Sequence, residues 1–426
     1  MARRMEEFLS KLIHNDQTGF IRNRQTQDNI RRTLHIINHI QKNKTEAVLI
    51  SVDAEKACDS VNWEFLYKIL HKFGLHNTII DTIKALYTNP TARIKINGYL
   101  SSSFTLERGT RQGCSWSPLL FALYLERLAQ SIRQNPHIKG ITIGQREHKL
   151  ACYADDILVY FGHPTDSLPK LMLLLEQHGR LSGYKINLNK TQTLSYNYHP
   201  SVEITTKCPI RWQGESLKYL GISIPKNLTK IFEFNYTPLK EKIDEDLKRW
   251  NLIPYFSLYS RIESIKMNVL PRLLYLFQTL PIQIDQIQFN EWDKMISRYI
   301  WEGKRPRVCF KTLQLSKEKG GWGLPSLRDY FRAAQMKASI NWCDISYNAQ
   351  WKSIEEQIFP FPIQATLADA NIQKYIDTTD NPWVQCILSV WKNVVKEYNL
   401  KKDIVMLKWY AYDSDFLPKK LDSRFK

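Results

Sequence analysis

Asp155 and Asp156 stand side by side in YADD, between the apolar runs KLACY and ILVYF, and Asp53 closes a third run, AVLISV. Neighbouring carboxylates held between strands repel one another unless water or a divalent cation neutralises them. If the run ending at Asp53 lies beside the pair, the three side chains offer the hard oxygen ligands that Mg²⁺ takes. Two such ions, about 3.5–4 Å apart, activate a hydroxyl and stabilise a leaving pyrophosphate in nucleotidyl transfer. Against this stands the plainer reading of an Asp pair as a solvated turn.

The elements that must bring these residues together are written in the hydrophobic pattern. AVLISV at 47–52 reads as a buried strand that delivers Asp53 at its end. Strands over about 149–153 and 157–161 form a hairpin with Ala154, Asp155 and Asp156 at its tip. Ile30, Leu34, Ile37 and Ile40 predict a helix over about 28–42, and further helices follow near 63–73 and 78–87. Asn97-Gly98 marks a hairpin turn. Ser117 and Pro118 read as the N-cap and first residue of an apolar helix to about Arg133. A helix over about 168–181 and strands near 138–143, 191–195 and 217–224 complete this half. Beyond Pro225 the texture turns to long helices, with Ile262, Ile265, Val269 and Leu273, then Phe289, Trp292, Ile296 and Tyr299, the first helix kinked at Pro271. A boundary is expected near 225–235. MARRMEEFLSKLI reads as a helix in mid-course and not as a secretory signal.

Composition narrows the partners. The 426 residues suggest two or three domains, and 60 basic against 42 acidic side chains, a net +18, favour a polyanion, nucleic acid ahead of an anionic membrane. The densest apolar runs, Leu119 to Leu125 and Leu273 to Phe277, are too short to cross a bilayer. Seven cysteines without a CxxC pair read as reduced thiols inside a cell. His71, His76, His148 and His178 lack metal-ligand spacing. Lys304, Arg305, Arg307 and Lys311, interleaved with Trp301 and Phe310, offer phosphate attraction and stacking surfaces for a single strand, or else a basic loop over core aromatics.

In chain order, DQTGFI (16–21), SVDAEKACD (51–59), GTRQGCSWSPLLF (109–121), YADD (153–156), SGYKINLNKT (182–191) and KYLGI (218–222) resemble the motif series of non-LTR retrotransposon reverse transcriptases of the long interspersed element type. The resemblance covers roughly residues 1–345. It implies an α+β fold: a reverse-transcriptase palm, an antiparallel sheet with packed helices, then a helical thumb and a helical C-terminal tail. Partial fingers and palm helices would occupy 1–50, the palm 51–228, the thumb 229–303, and a basic turn with an aromatic-rich helical region 304–426. The implied activity is RNA-directed DNA polymerisation with two Mg²⁺ ions, an RNA template, a DNA primer and deoxynucleoside triphosphates. The implied setting is a monomer without membrane contact, in an intracellular ribonucleoprotein of cytoplasm and nucleus.

Carried onto this chain, the resemblance makes Asp53, Asp155 and Asp156 the catalytic metal ligands, joined by the carbonyl of Ala54. Ala57, Cys58, Gln112, Gly113 and Lys190 fall at nucleotide-binding positions, with Lys190 near the pyrophosphate. Tyr219, Leu220 and Gly221 match the primer grip, although Tyr219 and Leu220 in isolation read as core. Arg24, Arg111, Lys304, Arg305 and Arg307 are the expected nucleic-acid contacts. In the thumb, Lys242, Lys248, Arg249, Arg261 and Lys266 could track phosphates by charge.

The sequence departs from the family pattern in three places. Cys58 stands where an aromatic steric gate is usual, and Ser115 and Trp116 replace a proline and an aliphatic residue. The copy is expected to be truncated at both ends, without the fingers strands, an upstream endonuclease or a cysteine-rich C-terminal segment. Two rivals remain at this level: a catalytically inactive nucleic-acid-binding remnant, and another palm-based two-metal enzyme such as a nucleotide cyclase.

Overall fold

A computed structural model of the chain describes residues 2–212, 214–369 and 371–400. The end of the expected C-terminal region, 401–426, lies outside the described residues. The chain divides between Leu228 and Thr229 into two units.

The first unit is built on a four-stranded antiparallel sheet. Its strands are β1 (Ala47–Val52), β2 (Leu150–Tyr153), β3 (Asp156–Phe161) and β4 (Gln192–Tyr196), in the order β4-β1-β3-β2. Nearly every side chain of β1 is buried, which requires cover on both sheet faces. Helices supply it: α1 (Ala2–Leu12), α2 (Thr26–Asn43), α3 (Trp63–Lys72), α4 (Asn77–Leu86), α5 (Ser117–Gln134) and α6 (Pro164–Ser182). The run LLFALYL in α5 is buried all round, as a helix without a polar stripe must be. Strands β5 (Ser216–Tyr219) and β6 (Ile222–Pro225) form a separate hairpin.

Local sequence explains most element ends. Asn97 and Gly98, both at positive φ, join Lys95–Ile96 to Tyr99–Leu100 as the dipeptide predicts. Two details differ. Helix α5 is preceded by Trp116 in helical conformation, so Ser117 is its first residue and not its cap. Helix α6 begins at Pro164, four residues before the expected start, because a proline fits the first turn where its missing N–H costs nothing.

A buried charge cluster ties the amino-terminal segment to this core. Asp16 meets Arg32 (Nη1–Oδ1 2.8 Å), Arg133 (Nε–Oδ2 3.1 Å) and His14 (Nδ1–Oδ2 2.9 Å), and Arg133 also holds Glu126 (2.6 Å). Burial would raise the Asp16 carboxyl; the His14 hydrogen bond and the two guanidinium groups outweigh it and hold it well below its ordinary value of 3.8. A carboxylate depressed in the folded state adds stability above the unfolded value, and that stability is lost as pH falls toward the folded one. Asp16→Asn should therefore cost about 3–5 kcal/mol at neutral pH by urea unfolding. The variant should also lose much of the acid sensitivity of the parent; an equal acid limb in both would show that Asp16 does not set it.

The second unit is helical. It contains α7 (Ile231–Asn251), α8 (Leu258–Ser264), α9 (Leu270–Thr279), α10 (Gln286–Ile300) and α11 (Leu327–Cys343). Tyr236, Phe277, Phe289 and Trp292 pack ring against ring, with centroids 5.5–6.4 Å apart. A π-helical turn at Ile265–Val269 joins α8 to α9 and takes up the irregularity expected from Pro271, which sits in the first turn of α9. Among the described residues no helix is long and apolar enough to cross a membrane.

Candidate active site

The register of the central strands brings the sequence-separated aspartates to one sheet edge. Val52 of β1 pairs with Ile157 of β3, so the next position along β1, Asp53, stands opposite Asp156. Directly opposed residues of an antiparallel pair set their Cβ atoms roughly 4.5–5.5 Å apart on one face. Tyr153 pairs with Asp156, leaving Ala154 and Asp155 as the two-residue turn between β2 and β3. Asp53 is half-buried, and Asp155 and Asp156 are exposed, so the rim is open to solvent. Partial burial, and then the charges of Asp155 and Asp53, raise the Asp156 carboxyl above its ordinary value.

Asp53 is held by its backbone from the far side. Asn187 N–H donates to the Asp53 carbonyl (2.8 Å), Glu55 N–H donates to the Lys185 carbonyl (2.8 Å), and the Thr191 hydroxyl accepts from Asp53 N–H (3.4 Å). The motif SGYKINLNKT thus brackets the first aspartate. Gly183, its second residue, ends α6 at φ +84°, and a Cβ there would lie 2.6 Å from the Ser60 carbonyl. The bridge between Ala54 and Ile186 uses the Asp53 carbonyl and the Glu55 amide and leaves the Ala54 carbonyl out of it.

The donor set suits Mg²⁺. Among the described residues no three His, Cys, Asp or Glu side chains form a nest that could hold an ion. The three carboxylates line one rim that is open to solvent. Mg²⁺ rarely needs a cage, since one or two carboxylates hold it while water and substrate phosphates complete its shell. An all-oxygen, solvent-open rim whose carboxylates repel one another has that chemistry.

Several expected nucleotide-site residues lie around this rim. The Thr110 amide donates to the Cys58 carbonyl (2.8 Å) and Gly109 N–H to the Val61 carbonyl (2.9 Å), pinning the 109–113 loop to the turn after Asp53. Gln112 and Gly113 are exposed in that loop; Gly113 has φ +83° and open space where a Cβ would go. Partial burial, then the charge of Asp155, raises the Cys58 thiol, which places its sulfur within electrostatic reach of the rim. Lys190 is exposed one residue before Thr191. Arg111 is exposed beside Gln112.

Other expected contacts are corrected. Arg24 donates to the carbonyls of Ser10, Ile13, His14 and Gln17 at 2.6–3.1 Å, so its guanidinium closes the end of α1 and does not face a nucleic acid. The Ala57 side chain is buried in the core. Tyr219 is buried too, its hydroxyl donating to the Ala151 carbonyl (3.3 Å) and accepting from Asn29 (3.3 Å); only the turn residues Leu220 and Gly221, at φ +48° and +78°, reach toward the surface. In the second unit Arg261 is 3% exposed and bound to Glu302 (2.9 Å) and the Tyr299 carbonyl (3.3 Å), a core residue and not a phosphate contact. Lys248 and Arg249 pair with Asp244 and Asp246 on their own helix, and Lys266 pairs with Glu263. Lys304, Arg305 and Arg307 are exposed in the second unit, Lys304 paired with Glu302 (3.2 Å). Among the described residues no disulfide joins any of the seven cysteines. His178 is buried, which lowers it to about 4.

The residues of DQTGF announce no chemistry in the sequence. In the structure Asp16 and Thr18 exchange backbone hydrogen bonds with Cys152 (2.8 and 2.9 Å), adding a short parallel bridge beside β2. The Gln17 carboxamide then grips the backbone of Ala154. The signal was a buried amide with no chemistry of its own, visible only once the turn it serves is known.

Comparisons with known proteins identify the family of the first unit. The reverse transcriptase (RNA-dependent DNA polymerase) family profile matches residues 1–224, inside the first unit. The chain is 24% identical over 359 residues to an uncharacterized transposon TX1 protein of Xenopus laevis, covering 80% of this chain and 27% of that protein. It is 24% identical over 347 residues to the retrovirus-related Pol polyprotein from type-2 retrotransposable element R2DM of Drosophila melanogaster, covering 78% and 32%. A Popillia japonica Pol polyprotein from a type-1 retrotransposable element R2 is 25% identical, covering 77% and 46%. The chain spans less than half the length of each of these relatives. Among solved structures, apo telomerase from Candida tropicalis aligns with a TM-score of 0.43 at 12% identity, covering 97% of this chain and 58% of that one. Matched by the profile over more than half its length, the chain belongs to the reverse transcriptase (RNA-dependent DNA polymerase) family.

Proposed function

We propose that the chain is the polymerase part of a non-LTR retrotransposon protein and extends a DNA 3′-hydroxyl along an RNA template. The observation that supports this most is the strand register, which sets Asp53 opposite Asp156 with Asp155 in the adjoining turn. Asp53, Asp155 and Asp156, with the Ala54 carbonyl, would hold two Mg²⁺ ions. Bound there, the ions would lower the pKa of the primer hydroxyl and neutralise charge on the leaving pyrophosphate.

The protein's own groups divide the remaining work. The 109–113 loop, pinned to the Cys58 carbonyl, presents Gln112 and Gly113 to the nascent base pair. A residue without a side chain at Gly113 lets the backbone approach that pair closely. Cys58 underlies the sugar, Lys190 can donate a proton to the pyrophosphate, and the Leu220-Gly221 turn bears on the primer end. Arg111 and, in the second unit, Lys304, Arg305 and Arg307 attract phosphates, an attraction that weakens with salt. The second unit would serve as thumb and tail. The setting would be an intracellular ribonucleoprotein with the template RNA.

Primer extension on an RNA template with deoxynucleoside triphosphates and Mg²⁺ tests this. Labelled complementary DNA is the expected product. Salt-sensitive binding of template and primer without extension would reduce the chain to an inactive binder, and triphosphate turnover without primer would point to a cyclase.

A further inference from the structure

The YADD turn departs from the other tight turns of the first unit. Those at Asn97-Gly98 and Leu220-Gly221 each carry a glycine, which adopts positive φ without steric cost. The turn between β2 and β3 carries none, yet Ala154 sits at φ +52°. Its two backbone polar groups lie outside the strand ladder and meet one side chain. Gln17 Oε1 accepts from Ala154 N–H (3.0 Å), and Gln17 Nε2 donates to the Ala154 carbonyl (3.3 Å). The same Oε1 accepts from Gly19 N–H (2.8 Å), which fixes the orientation of the amide. Gln17 is 2% exposed.

The clamp cannot drift. Upstream, the Asp16 carboxylate is locked by Arg32 and Arg133, and the backbone of 16–18 is paired with Cys152. Asn29 reinforces that pairing by donating to the Cys152 carbonyl (2.8 Å) and the Thr18 hydroxyl (2.9 Å). Downstream, a Cβ on Gly19 would fall 2.3 Å from Ala154 N, so this segment presses directly against the turn.

We propose that Gln17 is a positioning residue of the polymerase: its carboxamide fixes the Ala154-Asp155 turn and thereby aims the Asp155 and Asp156 carboxylates. The proposal rests on the polymerase reading for its consequence in catalysis, but the clamp acts on the turn whether or not the chain extends a primer. Gln17 touches no substrate, and Asp155 lies one bond-turn beyond the group it holds. Misplacement of a reacting group by about 1 Å costs on the order of a hundredfold in rate.

Gln17→Met keeps the side-chain length and removes all three hydrogen bonds. Thr193→Val is the control, because it deletes a part-buried bond to the Arg211 carbonyl at the opposite edge of the sheet. In Gln17→Met, amide exchange across 152–157 should accelerate about tenfold and Mn²⁺ affinity should fall several-fold, while Thr193→Val should change neither. Primer-extension kcat should fall about 10–100-fold, with the nucleotide KM and template–primer affinity within about threefold of the parent. Gln17→Glu adds a diagnostic pH profile: its carboxylate lacks the donor, so kcat relative to the parent should recover as falling pH protonates it.

Unchanged exchange and Mn²⁺ affinity in Gln17→Met, or losses no larger than those of Thr193→Val at equal melting temperature, would overturn the proposal. A parent chain without extension activity would defeat the polymerase reading alone, because exchange and the Mn²⁺ titration still decide whether Gln17 holds the turn.

Discussion

Asp155→Ala lowers primer extension about a thousandfold, ~4 kcal/mol on the barrier, and leaves the metal-free chain at least as stable as its parent. The two effects have one origin. Asp155 is exposed in a turn, and its charge helps to raise the carboxyl of Asp156, so it burdens the folded chain when no cation is bound. A carboxyl raised in the folded state costs nothing below its unfolded value; the cost grows as pH climbs past that value and is complete above the folded one. Without Mg²⁺, melting temperatures should therefore fall more in the parent than in the variant as pH rises past the ordinary carboxylate value of 3.8, and Mg²⁺ should raise the parent more. Extension retained within about tenfold would remove Asp155 from the chemistry.

Cys58→Phe raises selectivity for deoxynucleotides over ribonucleotides by about 10–100-fold in the ratio of kcat/KM. The Cys58 backbone is fixed by Thr110, and its thiol lies within reach of the Asp155 charge, so a ring placed there projects toward the rim that would take the sugar. Beneath a bound sugar, cysteine would leave room for a 2′-hydroxyl that phenylalanine would fill. The parent should incorporate ribonucleotides measurably. Unchanged selectivity in the variant would mean that position 58 does not underlie the sugar.

What the sequence made legible was local. The limits of β1 follow from an uninterrupted apolar run, the 97–98 turn from a dipeptide with one favoured geometry, and α2 from apolar residues three and four apart. The pairing of β1 with β3 was expected only as a possibility, since register is settled by tertiary packing and a one-residue slip would send Asp53 to the opposite face. Arg24 and Arg261 share one lesson: charge in the sequence does not reveal whether a guanidinium is left to solvent or engaged by carbonyls of its own fold. Tyr219 belongs to a surface hairpin, yet its ring anchors that hairpin under β2. Gln17 was invisible because its function depends on a backbone angle in a residue 137 positions away.

If the chain is a polymerase, Asp53 and the YADD pair hold ions in common. Anomalous diffraction from crystals of the chain with Mn²⁺, an RNA–DNA template–primer and a non-hydrolysable nucleotide measures this directly. Two Mn²⁺ peaks about 3.5–4 Å apart are expected, at least one of them contacting both Asp53 and a carboxylate of the 155–156 pair. Peaks at Asp155 and Asp156 that Asp53 does not reach would contradict it.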